Sequence, residues 1–136
     1  MLPTINDGDH VLISLSSYQQ KPPRRGDIIV YSRPKPHLKH ELKRVIGLPG
    51  ERINLEGGVL TVDGKWVKEP YLGNLPSTIG LDPIRWTLTE EEYVVLGDNR
   101  AQSTDSRKYG PVKYDQIIGH LRFRYWPLGQ WHLVGK

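Results

Sequence analysis

The chain has 136 residues, of which 37% are hydrophobic, and its four Trp and seven Tyr exclude an intrinsically disordered chain and fit one domain with a single core. Its net charge of +4 permits contact with nucleic acid or an anionic membrane, but the basic residues are dispersed and no recognition-helix motif accompanies them, so nucleic-acid binding is not expected. The absence of cysteine excludes disulfides and thiolate metal sites, and because no apolar run approaches the roughly 20 residues that span a bilayer, we expect the 136 residues to be soluble.

The predicted secondary structure is almost entirely β. Short runs rich in Val and Ile, separated by 14 Gly and 11 Pro, predict an all-β fold with no helix longer than about three turns. Tight turns are expected between 51 and 70, with Asp63-Gly64 as a type I′ hairpin, and residues 72–86 are expected to form a loop. Period-two alternation predicts strands at residues 10–16, 27–32, 40–46, 92–96 and 117–125.

The segment "ELKRVIGLPG" at 41–50 contains a candidate catalytic lysine. Strand alternation places Lys43 and Val45 on one face and Leu42, Arg44 and Ile46 on the other. A Lys-Arg pair in a strand most often belongs to a solvated face. The functional alternative is a lysine general base, which must be desolvated, because a free lysine with a pKa of about 10.4 is protonated at pH 7.

The segment "LGDNRAQSTDSRKYGP" at 96–111 is the densest polar stretch of the chain. A turn after a strand explains its first residues without any function. It explains less well two Asp/Arg pairs at the same spacing, Asp98 with Arg100 and Asp105 with Arg107, which flank three hydroxyl groups. Buried charge networks of this kind usually hold a functional site in place.

The five histidines do not predict a metal site. Only His37 and His40 lie close together in sequence, in a proline-rich stretch without a neighbouring thiol. We therefore expect no metal and no cofactor.

Four segments in this order, "MLPTINDGD", "KRVIGLPGE", "GDNRAQSTDSRKYGPV" and "IIGHLRFRYWPLG", resemble type I signal peptidases. These are membrane-bound serine endopeptidases that remove leader peptides from exported proteins. The resemblance covers nearly the whole chain. It implies coiled antiparallel sheets that form a partly open barrel, a single catalytic-type domain over residues 1–136, and a reduced inserted β region at 52–88.

The resemblance also implies roles for individual residues. Lys43 matches the family's general base, and Ser103 matches a serine that hydrogen-bonds the lysine and orients it within an apolar cleft. The family's supporting charged residues match Arg44, Asp98, Asp105 and Arg107. The wall of the substrate cleft, where the family binds small residues one and three places before the cut, matches Met1, Leu2, Pro3, Thr4, Ile5, Leu42 and Thr104.

In the family, the nucleophilic serine precedes a methionine in the pattern Ser-Met-x-Pro-Thr, and Met1 takes the place of that methionine. We therefore expect the 136 residues to lack the nucleophile, the membrane anchor and both oxyanion-hole donors, and so not to cleave peptides. A Ser/Lys dyad needs no histidine and no metal. The implied partners are signal peptides of exported preproteins and the extracytoplasmic membrane surface, while the oligomeric state stays open.

Two alternatives remain. Self-cleaving repressors share the Ser/Lys dyad and a related β core, but they lack a "GDNR...DSR" segment and usually carry a helical DNA-binding domain. A non-catalytic β module that binds peptides or a partner subunit on the same scaffold would also lack the nucleophile.

Overall fold

A computed structural model describes residues 1–15, 18, 21–33, 39–77, 82–126 and 132–133. In this part of the chain, strands dominate and helix is limited to single turns. The helical turns are α1 (Ser106–Tyr109) and two 3-10 turns, Pro70–Leu72 and Tyr114–Gln116. The strands are β1 (His10–Ser14), β2 (Ile28–Arg33), β3 (Lys39–Gly47), β4 (Arg52–Glu56), β5 (Val59–Val62), β6 (Lys65–Trp66), β7 (Ile84–Thr87), β8 (Glu92–Leu96), β9 (Val112–Lys113), β10 (Ile117–Trp126) and β11 (His132–Leu133).

The larger sheet has the strand order β1-β10-β2-β3-β8-β9, and β11 pairs with β10 as well. All of these pairings are antiparallel. The five strands predicted from alternation all lie in this sheet, although Ser16 falls outside the described residues. The all-β prediction is confirmed, and the described strands form two antiparallel sheets without closing into a barrel.

The smaller sheet has the order β6-β5-β4-β7 and is also antiparallel. Asp63 and Gly64 join β5 to β6 with φ of 49° and 77°, so the type I′ hairpin is confirmed. The loop predicted over 72–86 is wrong at its end, where β7 begins at Ile84. This strand pairs with β4, which lies about thirty residues away in sequence, and its four alternating residues are too short a run to predict a strand without that partner.

The two sheets share a hydrophobic core. One buried cluster joins Ile46 of β3 to residues of the smaller sheet such as Ile53 and Leu60. Close contact between the two sheets depends on Gly47, because a Cβ there would lie 2.8 Å from Ile53 and 2.9 Å from Leu88. The sheets can therefore meet directly at the end of β3.

Alternation along β3 agrees with the prediction. Val45 packs in a second cluster with Tyr31 and Tyr93, whereas Leu42 packs against a third cluster that contains Ile28 and Leu121. Because β3 lies between β2 and β8, its side chains have fixed neighbours on both faces. This arrangement gives Lys43 a rigid backbone.

Candidate active site

A cavity of about 280 Å³ lies between the N-terminal segment, β3 and the loop that follows β8. Distant parts of the sequence meet here, because β3 pairs with both β2 and β8 in the larger sheet. Five residues that the sequence singled out line the cavity: Met1, Leu2, Lys43, Ser103 and Thr104.

Lys43 points into this cavity from the centre of β3. Its side chain is only 16% exposed, so it does not belong to a solvated strand face. The prediction that Lys43 has apolar surroundings is wrong, however, because Lys43 Nζ lies 3.7 Å from Glu41 Oε2. Glu41 was not predicted from the sequence. Its position two residues before Lys43, on the same strand face, is the signal that could have identified it.

Ser103 lines the same cavity, but its hydroxyl group does not bond Lys43. Ser103 Oγ is buried, and the predicted hydrogen bond to Lys43 is not formed. The Ser103 hydroxyl group lies instead beside the Asp105 carboxylate, whose pKa it helps to lower. The side chain lies directly against the backbone of Gly97, where an added Cβ would overlap Ser103 Oγ and Cβ. Glycine at 97 is therefore required by this close approach.

Arg44 and Asp98 form a buried bidentate pair behind the cavity. Arg44 Nε donates to Asp98 Oδ1 at 2.8 Å, and Arg44 Nη2 donates to Asp98 Oδ2 at 2.7 Å. The Thr4 hydroxyl group donates to the same carboxylate, and Arg44 Nη1 donates to the Gly26 carbonyl at 2.8 Å. This network connects β3, the loop after β8 and the N-terminal segment.

Asp105 and Arg107 form the second pair, as the spacing predicted. Arg107 Nε and Nη2 each donate to the Asp105 carboxylate at 2.8 Å, and the Gly97 N–H donates to it at 3.0 Å. Burial alone would raise the pKa of Asp105, but these donors and the Arg107 charge hold it below its ordinary value. The Asp105 side chain also caps α1 by accepting from the Arg107 N–H.

The predicted pairing of Asp98 with Arg100 is wrong. The Asp98 carboxylate is taken by Arg44, while Arg100 turns back so that its Nε donates to the Gly97 carbonyl at 3.1 Å. The buried Arg100 guanidinium then pairs with Glu69 and donates to the Ser77 carbonyl. Arg100 thereby links the site loop to the segment that follows β6.

A neighbouring cavity of about 420 Å³ contains more of the predicted cleft residues, namely Met1, Leu2, Ile5 and Leu42. Ile5 also belongs to the core cluster with Ile28 and Leu121, and Thr4 and Pro3 line neither cavity. The Thr4 hydroxyl group faces Asp98, and Pro3 lies at the surface.

No group of three or more His, Asp or Glu side chains within the described ranges could hold a metal ion. His37, one of the paired histidines considered above, lies outside those ranges. In the same part of the chain, no helix is long and apolar enough to cross a membrane.

Comparison with known proteins identifies the family. The model of the family described as signal peptidase, peptidase S26, matches residues 1–126. The chain belongs to this family. It is 41% identical over 141 residues to signal peptidase I of Bacillus caldolyticus, a match that covers 96% of this chain and 76% of that relative. It is 37% identical to signal peptidase I of Leptolyngbya laminosa, with 96% of this chain and 66% of the relative covered.

A solved structure supports the same assignment. A signal peptidase I from Enterococcus faecalis V583 superposes with a TM-score of 0.65 at 34% identity, covering 74% of this chain and 97% of the other. The resemblance to type I signal peptidases is thus confirmed, and with it a serine endopeptidase family that hydrolyses peptide bonds.

Proposed function

We propose that this domain cleaves signal peptides from exported preproteins with Lys43 as general base and Ser103 as the residue that orients it. The observation that carries the proposal is the shared cavity, in which Lys43, Ser103 and Met1 come together from three segments far apart in sequence. The mostly buried Lys43 side chain and the two Asp/Arg pairs behind the cavity support it.

The proposed nucleophile is a serine joined directly to Met1. The Met1 amino group lies close enough to Lys43 that burial and then the Lys43 charge lower its pKa. A residue attached at that nitrogen would therefore extend toward the base.

The proposed reaction has two steps. Neutral Lys43 takes the serine proton as the serine oxygen attacks the carbonyl carbon of the scissile peptide bond. The tetrahedral intermediate collapses to an acyl-enzyme as the Lys43 ammonium group donates a proton to the leaving amine. Lys43 then accepts a proton from water, whose oxygen attacks the ester. As the second intermediate collapses, the Lys43 ammonium group returns the proton to the departing serine oxygen, and the new carboxyl end is released.

Specificity for small residues one and three places before the cut is assigned to the two cavities. Thr104 lines the cavity that holds Lys43, and Leu42 and Ile5 line its neighbour. We further propose, as the family resemblance implies, one catalytic-type domain over residues 1–136, with 52–88 as a reduced inserted β region.

We also propose that this domain acts at the extracytoplasmic membrane surface. The N-terminal segment exposes Leu2, Leu12 and Leu15, and the net charge of +4 favours an anionic surface. Ile5 of the same segment is buried and does not contribute to this exposed surface.

The test is leader-peptide cleavage by two forms of the chain. The 136-residue form should not cleave. A form with serine and a short upstream segment joined to Met1 should cleave peptides with Ala one and three places before the cut, with activity that rises with pH. Lys43→Ala should lower the rate at least ~100-fold, and Ser103→Ala about tenfold. Lys65→Ala, which removes an exposed lysine of β6, is the matched control.

A folded but inert extended form, or an active Lys43→Ala variant, would contradict the peptidase mechanism. The second candidate, a peptide-binding module without catalysis, is favoured by the Lys43 pairing with Glu41 and by the missing hydrogen bond between Lys43 and Ser103. Binding of leader peptides by the extended form without any cleavage would support it.

A further inference from the structure

Glu41 is a buried carboxylate inside the proposed catalytic cavity, and the mechanism above does not use it. Its side chain is 17% exposed and lines the cavity together with Lys43 and Ser103. The Tyr31 hydroxyl group donates to Glu41 Oε2 at 3.0 Å, and the Tyr109 hydroxyl group donates to it at 3.4 Å. The carboxylate is therefore held in place from β2 and from α1.

Lys43 and Ser103 meet Glu41 in a specific arrangement. The same Glu41 oxygen lies 3.7 Å from Lys43 Nζ, while Ser103 Oγ, buried beside the same cavity, makes no hydrogen bond to the lysine and lies beside the Asp105 carboxylate. The lysine amine is thus directed to the carboxylate instead of the serine that is expected to orient it. A serine hydroxyl group that donates to one carboxylate can still accept from an amine, so Ser103 Oγ remains available to Lys43.

We infer that Glu41 is a positioning residue that holds the Lys43 amine at its carboxylate and away from Ser103, so that the base becomes active only when the amine leaves Glu41 and moves to the Ser103 hydroxyl group. This inference rests on the proposed peptidase function. A carboxylate within 4 Å favours the ammonium form of a lysine, because the attraction is lost when the amine becomes neutral.

Other groups face this pair from each neighbouring element. Arg33 Nε on β2 lies 3.4 Å from Glu41 Oε1 and partly offsets its charge. Burial, followed by contacts with Tyr109 and with Glu41, raises the pKa of Tyr31. Burial likewise raises that of Tyr109, so both phenols stay neutral donors near pH 7. Among the described residues, the Met1 amino group is a further cation near Lys43, and in a chain extended by serine it is an uncharged amide.

The experiment compares charge-changing variants of the serine-extended form. Glu41→Gln keeps the shape and an acceptor for the tyrosines but removes the charge. We expect its pH of half-maximal cleavage to fall by about one unit, and its rate below that pH to rise about tenfold. The plateau rate at high pH should stay within about twofold of the parent, since neutral Lys43 is the same base in both.

Two further variants isolate the charge. Glu41→Asp keeps a carboxylate and should have a midpoint closer to the parent than Glu41→Gln. Glu56→Gln removes an equal charge from an ion pair with Arg85 on the smaller sheet and should leave the midpoint unchanged. A Glu41→Asp midpoint shifted as far as that of Glu41→Gln, or an unchanged midpoint in Glu41→Gln, would overturn the inference. Circular dichroism checks that each variant is folded.

A second readout separates this inference from the peptidase proposal. The Lys43 side-chain ¹³Cε signal, assigned with Lys43→Arg, is titrated by NMR in the serine-extended form. Its midpoint should fall in Glu41→Gln by about the same unit. A shift in this titration with no peptide cleavage in any form would overturn the peptidase mechanism and leave the coupling between Glu41 and Lys43 intact. No shift in a variant that cleaves would overturn the coupling alone.

Discussion

Gly97 supports Ser103 by direct contact with its backbone, and this contact predicts the effect of a single added methyl group. Gly97→Ala would place a Cβ inside the volume of the Ser103 side chain. We expect a loss of about 1–3 kcal/mol in the free energy of unfolding, as for other overpacked sites. Thermal and urea unfolding measure this change.

A double-mutant cycle tests the cause of that loss. Ser103→Gly removes both atoms that the new Cβ would overlap. The double variant should therefore be more stable than the sum of the two single changes predicts. Strict additivity would show that the Gly97→Ala effect has another origin.

Asp105 predicts how stability depends on acid. Because its pKa is lowered in the folded state from an ordinary value of 3.8, its contribution is fully present above that value and is lost as the pH falls through the folded value. Asp105→Asn should lower stability at pH 7 and flatten its decline at acidic pH. Urea unfolding between about pH 2.5 and 7 measures both effects.

The control for this pH dependence is Asp115→Asn, which changes an exposed carboxylate in the 3-10 turn before β10. In that variant, the free energy of unfolding should fall with decreasing pH as steeply as in the parent. An Asp105→Asn variant with the same acid profile as the parent would contradict the assignment.

At the scale of elements, a buried ion pair joins the loop after β8 to the segment that follows β6. The side chains of Arg100 and Glu69 are 2% and 3% exposed. Glu69→Gln leaves the guanidinium without its countercharge, and we expect a loss of about 3 kcal/mol in the free energy of unfolding. Glu56→Gln, which breaks the exposed pair with Arg85, should cost less than about 1 kcal/mol.

Chemical denaturation of both variants tests this comparison. Equal effects of Glu69→Gln and Glu56→Gln would mean that burial of the Arg100 pair does not stabilise the connection. Slower peptide cleavage by the extended form of Glu69→Gln would further indicate that the loop carrying Ser103 depends on the second sheet.

At the scale of the whole molecule, exposed leucines predict membrane contact. Leu2, Leu12 and Leu15 are 45%, 47% and 67% exposed, and the N-terminal segment that carries them borders the cavities. We expect weak co-sedimentation with vesicles that contain about a third anionic lipid, because apolar insertion and basic attraction add. Replacing the three leucines by serine should reduce it.

Leu75→Ser is the matched control, since Leu75 is 58% exposed but follows the 3-10 turn near the smaller sheet. Its binding should equal that of the parent. Parental binding no stronger than that of a neutral soluble protein, or equal losses in both variants, would contradict this orientation.

Some residues of the candidate site could be predicted from the sequence and others could not. The resemblance supplied Lys43 and Ser103, and the structure brings both to one cavity. The resemblance did not supply Glu41, and its sequence signal, a position two residues before Lys43 on the same strand face, also fits a solvated ion pair. The spacing predicted the pair of Asp105 and Arg107 correctly, because two residues in the same turn lie close together whatever the rest of the fold does.

Local rules in the sequence by themselves determined the main strands and the Asp63-Gly64 hairpin, because alternation and turn chemistry act between neighbouring residues. Only the tertiary structure decided which partners distant groups take. Asp98 pairs with Arg44, 54 positions away, although Arg100 stands two positions from it. A buried charge takes the partner that the packed sheets bring within reach, and that choice depends on strand register, which the residues next to Asp98 do not encode.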